Sequence, residues 1–202
     1  DSTLKILNNI INDQVVTTFV NGLAGSGKTI LAIYIIKLLS GFHLYDEFDF
    51  EDLDDSLLIP ITKLKVKYPN GLKIGLVVPM TSLRNTLKSV FKDINGLSGS
   101  MVIGPGDVVK KTYDLLMVDE SHRLSRRVSI TNYKSFDDTN RKLGLYLEGS
   151  HGTQLDWVLK SSKHQVLFYD SEQSIKPSDV RKEDFDRIKY HPSSVGVQLH
   201  SQ

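Results

Sequence analysis

The sequence predicts a three-layer α/β fold with a mainly parallel sheet, and three observations support this prediction. Four apolar segments, rich in β-branched residues and with little alternation, are typical of buried parallel strands. Segments with helical periodicity separate them. Glycine-rich or acidic residues follow the strands, as expected where the carboxyl ends of parallel strands meet at a ligand site. The four predicted strands are residues 15–20, 72–78, 113–118 and 165–169.

Length and composition narrow the functional classes. A chain of 202 residues can bury one substantial core, so one domain is expected. The formal net charge of +1 gives no global basic field for nucleic acid, although a groove can be basic on a neutral protein. The absence of cysteine suits a reducing cytoplasm. No signal peptide and no apolar run long enough to cross a bilayer is present, so we expect no membrane partner.

The first strand leads into GLAGSGKT, residues 22–29, which fits the phosphate-binding pattern G-x-x-x-x-G-K-[ST]. Its glycines can adopt positive φ, so that backbone N–H groups surround a triphosphate at the start of a helix. Lys28 is placed to reach the β and γ phosphates and Thr29 to bind Mg²⁺. The segment therefore predicts a site for ATP and Mg²⁺. The predicted nucleotide-binding residues here are Gly22, Gly25, Ser26, Gly27, Lys28, Thr29 and Ile30.

The elements around this loop have weaker signals. Apolar residues at helical spacing predict a short amphipathic helix over residues 3–12. Gly41 is the expected C-cap of the helix after the loop. The acidic stretch 46–55 is interpreted as a solvated surface excursion, with a cation site or an interaction tail as the alternative. Residues 57–68 are ambiguous between helix and other structure.

The second strand ends in Pro79 and runs into a predicted helix that starts near Thr81 and Ser82. A helix N-terminus with Arg84 and Lys88 nearby could hold a phosphate of another ligand. Simple N-capping by Thr81 or Ser82 is the alternative that the local residues favour. A short strand over 101–103 and a helical turn follow.

The third strand ends at Asp119 and Glu120. A phosphate-loop ATPase needs such a strand beside its first strand, with one carboxylate to hold Mg²⁺ and the next to orient and deprotonate the attacking water. Asp119 takes the first role in this prediction and Glu120 the second. Because adjacent carboxylates also occur as solvated strand ends, the prediction depends on the upstream loop at 22–29.

A long excursion over 121–152, with some helix around 141–147, precedes a short helix over 154–160 that carries the only tryptophan. The fourth strand ends at Asp170, with Gln173 three residues further on. These two side chains are candidates to sense the γ-phosphate because strand ends converge at one edge of the sheet. Capping of the next turn is the alternative. A final helix and a strand over 195–199 complete the predicted elements.

Taken in order, the motifs resemble those of the first RecA-like motor domain of superfamily 1 helicases. GLAGSGKT resembles their first motif, VVPMTSLRNTL the segment that contacts a nucleic-acid strand, LLMVDESHRL the DEAH-type Walker B motif, and FYDSEQSIKPSDV the third motif. The sequence is most similar to the Schlafen-type DNA/RNA helicase domain, which shares the forms D-E-x-H-R-L and D-x-x-Q-S-I-x-P-x-D. The resemblance covers nearly the whole chain.

The resemblance implies a single RecA-like P-loop ATPase domain over residues 1–202. It implies ATP-driven movement on single-stranded DNA or RNA, with a nucleotide-dependent switch or sensor without translocation as the alternative. It further implies that the chain is a fragment whose second RecA-like domain is missing, and that the fragment alone hydrolyses ATP poorly. We also expect a cytoplasmic monomer. The implied catalytic residues are Lys28, Glu120 and Gln173, with Thr29 and Asp119 on the metal, Asp170 on the nucleotide, Thr81 and Ser82 on nucleic acid, and His122 and Arg123 in a coupling network.

Three positions depart from the superfamily pattern. Tyr169 stands where most members have glycine before the aspartate. Gln14 is too close to the loop to be the glutamine that reads adenine in such proteins. VQLHSQ, residues 197–202, resembles the start of the fourth motif without its arginine.

Overall fold

A computed structural model describes residues 2–23, 25–42, 54–147, 150–170, 172–173 and 176–199. Its main sheet has six strands, all parallel. They are β1 Thr17–Asn21, β2 Ile74–Val77, β3 Val102–Ile103, β4 Tyr113–Val118, β7 Ser162–Tyr169 and β8 Ser194–Gln198. A separate antiparallel ribbon consists of β5 Tyr146–Leu147 and β6 Ser150–His151. The order across the sheet is β3-β2-β4-β7-β1-β8.

Seven α-helices are present in the described part of the chain. They are α1 Ser2–Ile11, α2 Lys28–Gly41, α3 Asp55–Lys67, α4 Thr81–Asp93, α5 Tyr133–Lys142, α6 Gln154–Ser161 and α7 Lys182–Lys189. Short 3₁₀ turns occupy Gly99–Met101, Pro105–Lys110 and Ser121–Arg123. None of the described helices is long and apolar enough to cross a membrane.

The helices form two layers because each face of the sheet buries its own apolar cluster. Helices α1 to α4 pack on one face, and α5 to α7 on the other. Strand residues alternate between the clusters, with Leu115 and Met117 of β4 on the α1 to α4 side and Leu116 and Val118 on the opposite side. The three-layer α/β fold with a parallel sheet is therefore confirmed.

Helix α1 belongs to the first cluster. Its side chains Ile6, Leu7 and Ile10 are at most 1% exposed. The helix lies against α3 and β8. It is therefore an integral part of this layer.

The sheet order corrects one expectation about the site. The strand ending in Asp119 and Glu120 was expected beside β1, but β7 lies between β4 and β1. β1 pairs with β7 on one side and with β8 on the other. Residues that follow β1 and β4 therefore meet across the end of β7, which places Asp170 between them along the sheet edge.

Several local expectations are also corrected. Gly41 lies in the last turn of α2, and Phe42 takes the C-cap position. The ambiguous segment is helix α3, which begins where the Asp54 side chain accepts a hydrogen bond from the Ser56 N–H. Residues 46–53, most of the acidic stretch, lie outside the described residues.

The excursion after β4 contains more regular structure than its sequence indicates. Its helix is α5, and residues 146–147 lie in the β5–β6 ribbon instead of in a helix. Asn132 caps the start of α5 by accepting a hydrogen bond from the Ser135 N–H. Gly144, at a φ of 68°, turns the chain away after the helix. The helical periodicity is weak because α5 buries Phe136 as its single large apolar side chain.

Candidate functional site

The glycine-rich loop after β1 has the backbone that its sequence predicts at two of three glycines. Gly25 and Gly27 adopt φ of 76° and 81°, a region that is costly for other residues. Gly22 does not have positive φ, so that part of the expectation is wrong. It is required for space instead, because a Cβ at this position would lie 2.5 Å from the Ser26 Oγ.

Lys28 begins α2 and points back into the loop. Its Nζ donates hydrogen bonds to the carbonyl oxygens of Gly22 at 2.5 Å and Leu23 at 2.8 Å. The side chain is buried, and its Nζ lies 3.8 Å from the Asp170 carboxylate at the end of β7. The loop therefore holds a positive charge at its centre with a carboxylate behind it.

Thr29 and Asp119 meet across the end of β7. The Thr29 hydroxyl donates a hydrogen bond to Asp119 Oδ2 at 2.8 Å. Asp119 is fully buried, and this burial raises the pKa of its carboxyl, although the Thr29 hydrogen bond acts in the opposite direction. A hydroxyl and a carboxylate are both oxygen ligands of the kind that Mg²⁺ prefers.

The protein groups around Thr29 would not enclose a metal by themselves. The described residues contain no group of three or more His, Cys, Asp or Glu side chains that could hold a metal ion. Mg²⁺ commonly keeps several waters and binds through one or two protein oxygens plus substrate phosphates. The Thr29 and Asp119 pair therefore fits a Mg²⁺ ion that a phosphate ligand shares.

Glu120 sits in a left-handed backbone conformation, with φ 48° and ψ 47°. This conformation turns the chain sharply at the end of β4, and it is unfavourable for a residue with a Cβ. The Glu120 carboxylate receives a hydrogen bond from His122 Nε2 at 3.0 Å. That hydrogen bond is the largest cause of a lowered pKa of Glu120, which keeps the carboxylate ionised at neutral pH.

These residues surround one cavity. It has a volume of about 260 Å³ and is lined by residues 25–30 of the loop and by Glu120. Ile30 is 74% exposed at this site, so an apolar side chain lies beside the polar loop. The structure thus brings together most of the predicted nucleotide-binding residues and the predicted base. Asp119 accepts the hydrogen bond from Thr29, and the Asp170 carboxylate lies 3.8 Å from Lys28 Nζ.

Gln173 does not contact the loop but belongs to a network behind Glu120. Its Oε1 lies 3.1 Å from His122 Nε2 and accepts a hydrogen bond from the guanidinium group of Arg123 at 3.3 Å. His122 is 1% exposed. Because His122 also contacts Glu120, the network joins the end of β4 to the segment after β7.

Sequence reasoning missed Asp179. This buried carboxylate accepts hydrogen bonds from Arg123 at 3.2 Å and from the Lys176 N–H at 2.9 Å. Asp179 therefore holds in place Arg123, which donates a hydrogen bond to Gln173. The final aspartate of the D-x-x-Q-S-I-x-P-x-D form was the available signal.

Thr81 and Ser82 lie away from this cavity. Both are exposed in the first turn of α4, which follows β2, and β4 and β7 separate β2 from β1. The N-cap position of α4 is Met80, so the expectation that Thr81 or Ser82 caps the helix is wrong. The Thr81 hydroxyl instead accepts a hydrogen bond from Arg84 at 3.0 Å.

A family model described as the Schlafen group 3 DNA/RNA helicase domain matches residues 15–202. The chain belongs to this family. The match includes every candidate residue described above and begins after α1. No curated protein matches the chain. The resemblance expected from the motif order is therefore confirmed at the level of the helicase-domain family.

Proposed function

We propose that this Schlafen group 3 domain binds ATP with Mg²⁺ and hydrolyses it, and that hydrolysis is coupled to single-stranded DNA or RNA. The observation that carries the proposal is the assembly of Lys28, Thr29 and Glu120 around one cavity at the carboxyl edge of a parallel sheet. Such edges are the usual ligand sites of open α/β folds. The family supplies the link to nucleic acid.

The loop would bind the phosphates. Its backbone N–H groups and the N-terminus of α2 provide a positive field that suits an anion. The Lys28 amine now bonds to two loop carbonyls and would exchange them for phosphate oxygens. Thr29 and Asp119 would hold Mg²⁺, which would neutralise charge on the phosphates.

Glu120 would act as the general base. Its carboxylate borders the cavity, and the hydrogen bond from His122 keeps it ionised and oriented. It would accept a proton from the water that attacks the γ-phosphorus. A new P–O bond forms to that water, the bond between the γ-phosphorus and the bridging oxygen breaks, and ADP is the leaving group.

The network around Gln173 supports coupling of this chemistry to a second site. His122 Nε2 carries at most one proton and lies near two acceptors, Glu120 and Gln173. A displacement of Gln173 toward the γ-phosphate would leave that proton to Glu120 alone. The position of the segment after β7 would thereby influence the base.

A nucleotide-dependent switch without translocation is the second candidate. The net charge of +1 favours it, because the chain lacks the basic excess typical of proteins that track along nucleic acid. The same His122 and Gln173 network would then report the nucleotide state to a protein partner. Stimulation of hydrolysis by nucleic acid separates the two candidates.

The test is steady-state ATP hydrolysis by the complete gene product, alone and with single-stranded DNA or RNA. Glu120→Gln should keep ATP binding and lose turnover by at least about 100-fold, the scale of a general base. Glu183→Gln, the same chemical change on the exposed start of α7, is the matched control and should hydrolyse normally.

Each outcome is informative. Stimulation by one polymer supports the motor and identifies its track. Hydrolysis that ignores both polymers favours the switch. Unchanged turnover in Glu120→Gln removes this residue from the role of base, and absence of ATP binding by the wild type refutes the proposal.

A further inference from the structure

A second cavity lies on the sheet face opposite α2, between α7 and strands β1 and β8. Its volume is about 370 Å³, within the range of small-molecule sites. Phe19, Tyr169 and Phe185 provide aromatic walls. Three charged residues of α7, Lys182, Asp186 and Lys189, also line it, so its charged groups are two cations and one carboxylate. The cavity shares no lining residue with the phosphate-loop cavity.

Gly196 keeps this cavity open. It lies in β8, paired in register with Phe19 of β1, so a side chain here would project to the same face as the Phe19 ring. A Cβ built on Gly196 meets no atom within 4 Å, and its φ is not positive. Neither crowding nor backbone conformation therefore requires glycine. Glycine weakens a strand, and within a strand it often marks the close approach of a ligand.

The lining has the chemistry of a site for a base and a phosphate. The Tyr169 ring provides the aromatic contact, and the Phe185 ring, which is 3% exposed, packs against it with centroids 4.9 Å apart. Tyr190, 78% exposed, adds a ring at the rim. Neither Lys182 nor Lys189 forms an ion pair with a described residue, so both ammonium groups are available to an anion.

An amide pair supplies the hydrogen-bonding edge. Asn21 and Gln198 end neighbouring strands, and Asn21 Nδ2 donates to Gln198 Oε1 at 3.2 Å. Within the described part of the chain this leaves the side-chain oxygen Oδ1 of Asn21 as an acceptor. Each amide also keeps one N–H, because Gln198 Nε2 donates its other N–H to the Leu199 carbonyl at 3.4 Å. Asn and Gln amides are the side chains that pair with the donor and acceptor edge of adenine.

We propose that this cavity is a second nucleotide site that takes one nucleoside monophosphate unit. The base lies against the Tyr169 ring, its edge meets the Asn21 and Gln198 amides, and the phosphate pairs with Lys182 or Lys189. The two lysines are seven residues apart, roughly 10 Å along the helix, so one phosphate pairs with one of them at a time. The unit is either a free mononucleotide or part of a nucleic-acid strand.

The site is close to the network behind the proposed base. The Tyr169 ring lines the cavity and also meets the edge of the His122 ring, with centroids 6.1 Å apart. The binding proposal itself does not depend on hydrolysis at the first site.

The test is calorimetric titration of the full-length protein with AMP, and separately with a short single-stranded oligoadenylate, in Mg²⁺-free buffer. Gly196→Leu fills the open space and should weaken binding by at least about 10-fold, the effect of roughly 1.4 kcal/mol. Val195→Leu is the matched control, because Val195 directly precedes Gly196 in β8 and its side chain points to the opposite face of the sheet. It should bind like the wild type.

Two further variants locate the ligand. Lys182→Ala and Lys189→Ala should together weaken binding about 2- to 5-fold, more strongly at low salt, as partly exposed ion pairs do. Lys28→Ala should leave it unchanged, which separates this cavity from the phosphate loop. Thermal unfolding checks that Gly196→Leu is folded, and its Tm should equal or exceed that of the wild type.

The outcomes distinguish the sources of the nucleotide. Loss of AMP binding in Gly196→Leu supports the site for a free mononucleotide. Loss confined to the oligonucleotide supports the same site for a unit within a strand. Binding of both probes that survives Gly196→Leu, or no binding of either probe by the wild type, overturns the proposal. Loss of ATP hydrolysis in Glu120→Gln bears on the first site alone.

Discussion

At the scale of single residues, Lys28 and Asp170 show how the loop manages a buried charge. The ammonium group is satisfied by the carbonyls of Gly22 and Leu23 and faces the Asp170 carboxylate at 3.8 Å. A buried ammonium without partners would be costly. In the proposed phosphate-binding role, phosphate oxygens would replace these two carbonyls as partners of the ammonium group.

Lys28→Ala should weaken Mg-ATP binding about 10- to 100-fold, because a hydrogen bond to a charged group contributes about 1.5–3 kcal/mol. Titration calorimetry measures the affinity. Lys37→Ala is the matched control, because Lys37 is a half-buried lysine of the same helix that does not line the cavity. Equal affinity of the wild type and Lys28→Ala would contradict the assignment of the loop to ATP.

His164 predicts a pH dependence of stability. Burial lowers the pKa of this imidazole below its ordinary 6.5, although the hydrogen bond between its Nδ1 and the Val15 carbonyl acts in the opposite direction. The unfolded chain therefore binds the proton more readily than the folded one. Its contribution to stability is fully present above about pH 6.5 and is lost as the pH falls toward the folded-state pKa.

Thermal unfolding between pH 7.5 and 5.5 tests this expectation. The Tm of the wild type should fall with decreasing pH, and His164→Asn should show a smaller fall because it removes the titrating group while keeping a donor. His191→Asn, at an exposed position, is the control and should follow the wild type. The same slope in all three proteins would exclude His164 as the cause.

At the scale of elements, α5 is attached to α6 through a buried asparagine. Asn140 Oδ1 accepts a hydrogen bond from Trp157 Nε1 at 2.8 Å, and its Nδ2 donates to the Gly152 carbonyl at 3.1 Å. Asn140 is fully buried. The position of α5 thus depends on a polar contact within an apolar cluster.

Asn140→Leu should destabilise the protein by about 1–3 kcal/mol, because it leaves the buried Trp157 N–H and the partly buried Gly152 carbonyl without their Asn140 partner. Trp157 is the single tryptophan, so its fluorescence reports denaturant unfolding directly. Thr139→Leu, on the neighbouring and less buried position of α5, is the control. A loss below about 0.5 kcal/mol in Asn140→Leu would show that the contact contributes little.

The elements differ in how far the sequence predicts them. Strand β4 was predicted with its observed bounds, because a run of buried apolar residues is a local signal. Helix α5 was not, since its stability comes from Asn140 and Phe136 in contacts with distant residues. The position of β7 between β1 and β4 is likewise a long-range property that no local pattern contains.

The candidate site follows the same rule. Motifs at strand ends are enough to select Lys28, Thr29 and Glu120 as candidates. The structure places all three around one cavity. The partner of His122 could not be read locally, because Gln173 lies 51 residues away in the chain. The cavity beside α7 had no sequence signal, since an open space at Gly196 depends on what α7 leaves uncovered.

At the scale of the whole molecule, the two regions for which we predict function follow different strands at one edge of the sheet. Thr81 and Ser82 follow β2, whereas the phosphate loop follows β1. β4 and β7 lie between them, with Glu120 and Asp170 at their ends. We expect nucleic acid at the first region to affect hydrolysis at the second through these two intervening strands.

Thr81→Val combined with Ser82→Ala should weaken binding of single-stranded nucleic acid several-fold and leave the affinity for Mg-ATP unchanged, because the two hydroxyls lie outside the nucleotide cavity. Fluorescence anisotropy of a labelled oligonucleotide measures the first quantity. Ser89→Ala, two turns further along α4, is the control. Unaltered oligonucleotide affinity in the double variant would place the strand elsewhere.

Helix α1 is part of the folded unit, although it lies before the residues that the family model matches. The family model begins at residue 15, yet Ile6, Leu7 and Ile10 are almost completely buried in the first core cluster. Burial of three such side chains contributes about 5–9 kcal/mol, as large as the whole stability of many domains. A protein truncated at the family boundary would expose an apolar groove beside α3 and β8, and we expect it to aggregate on expression while the chain that retains α1 stays soluble.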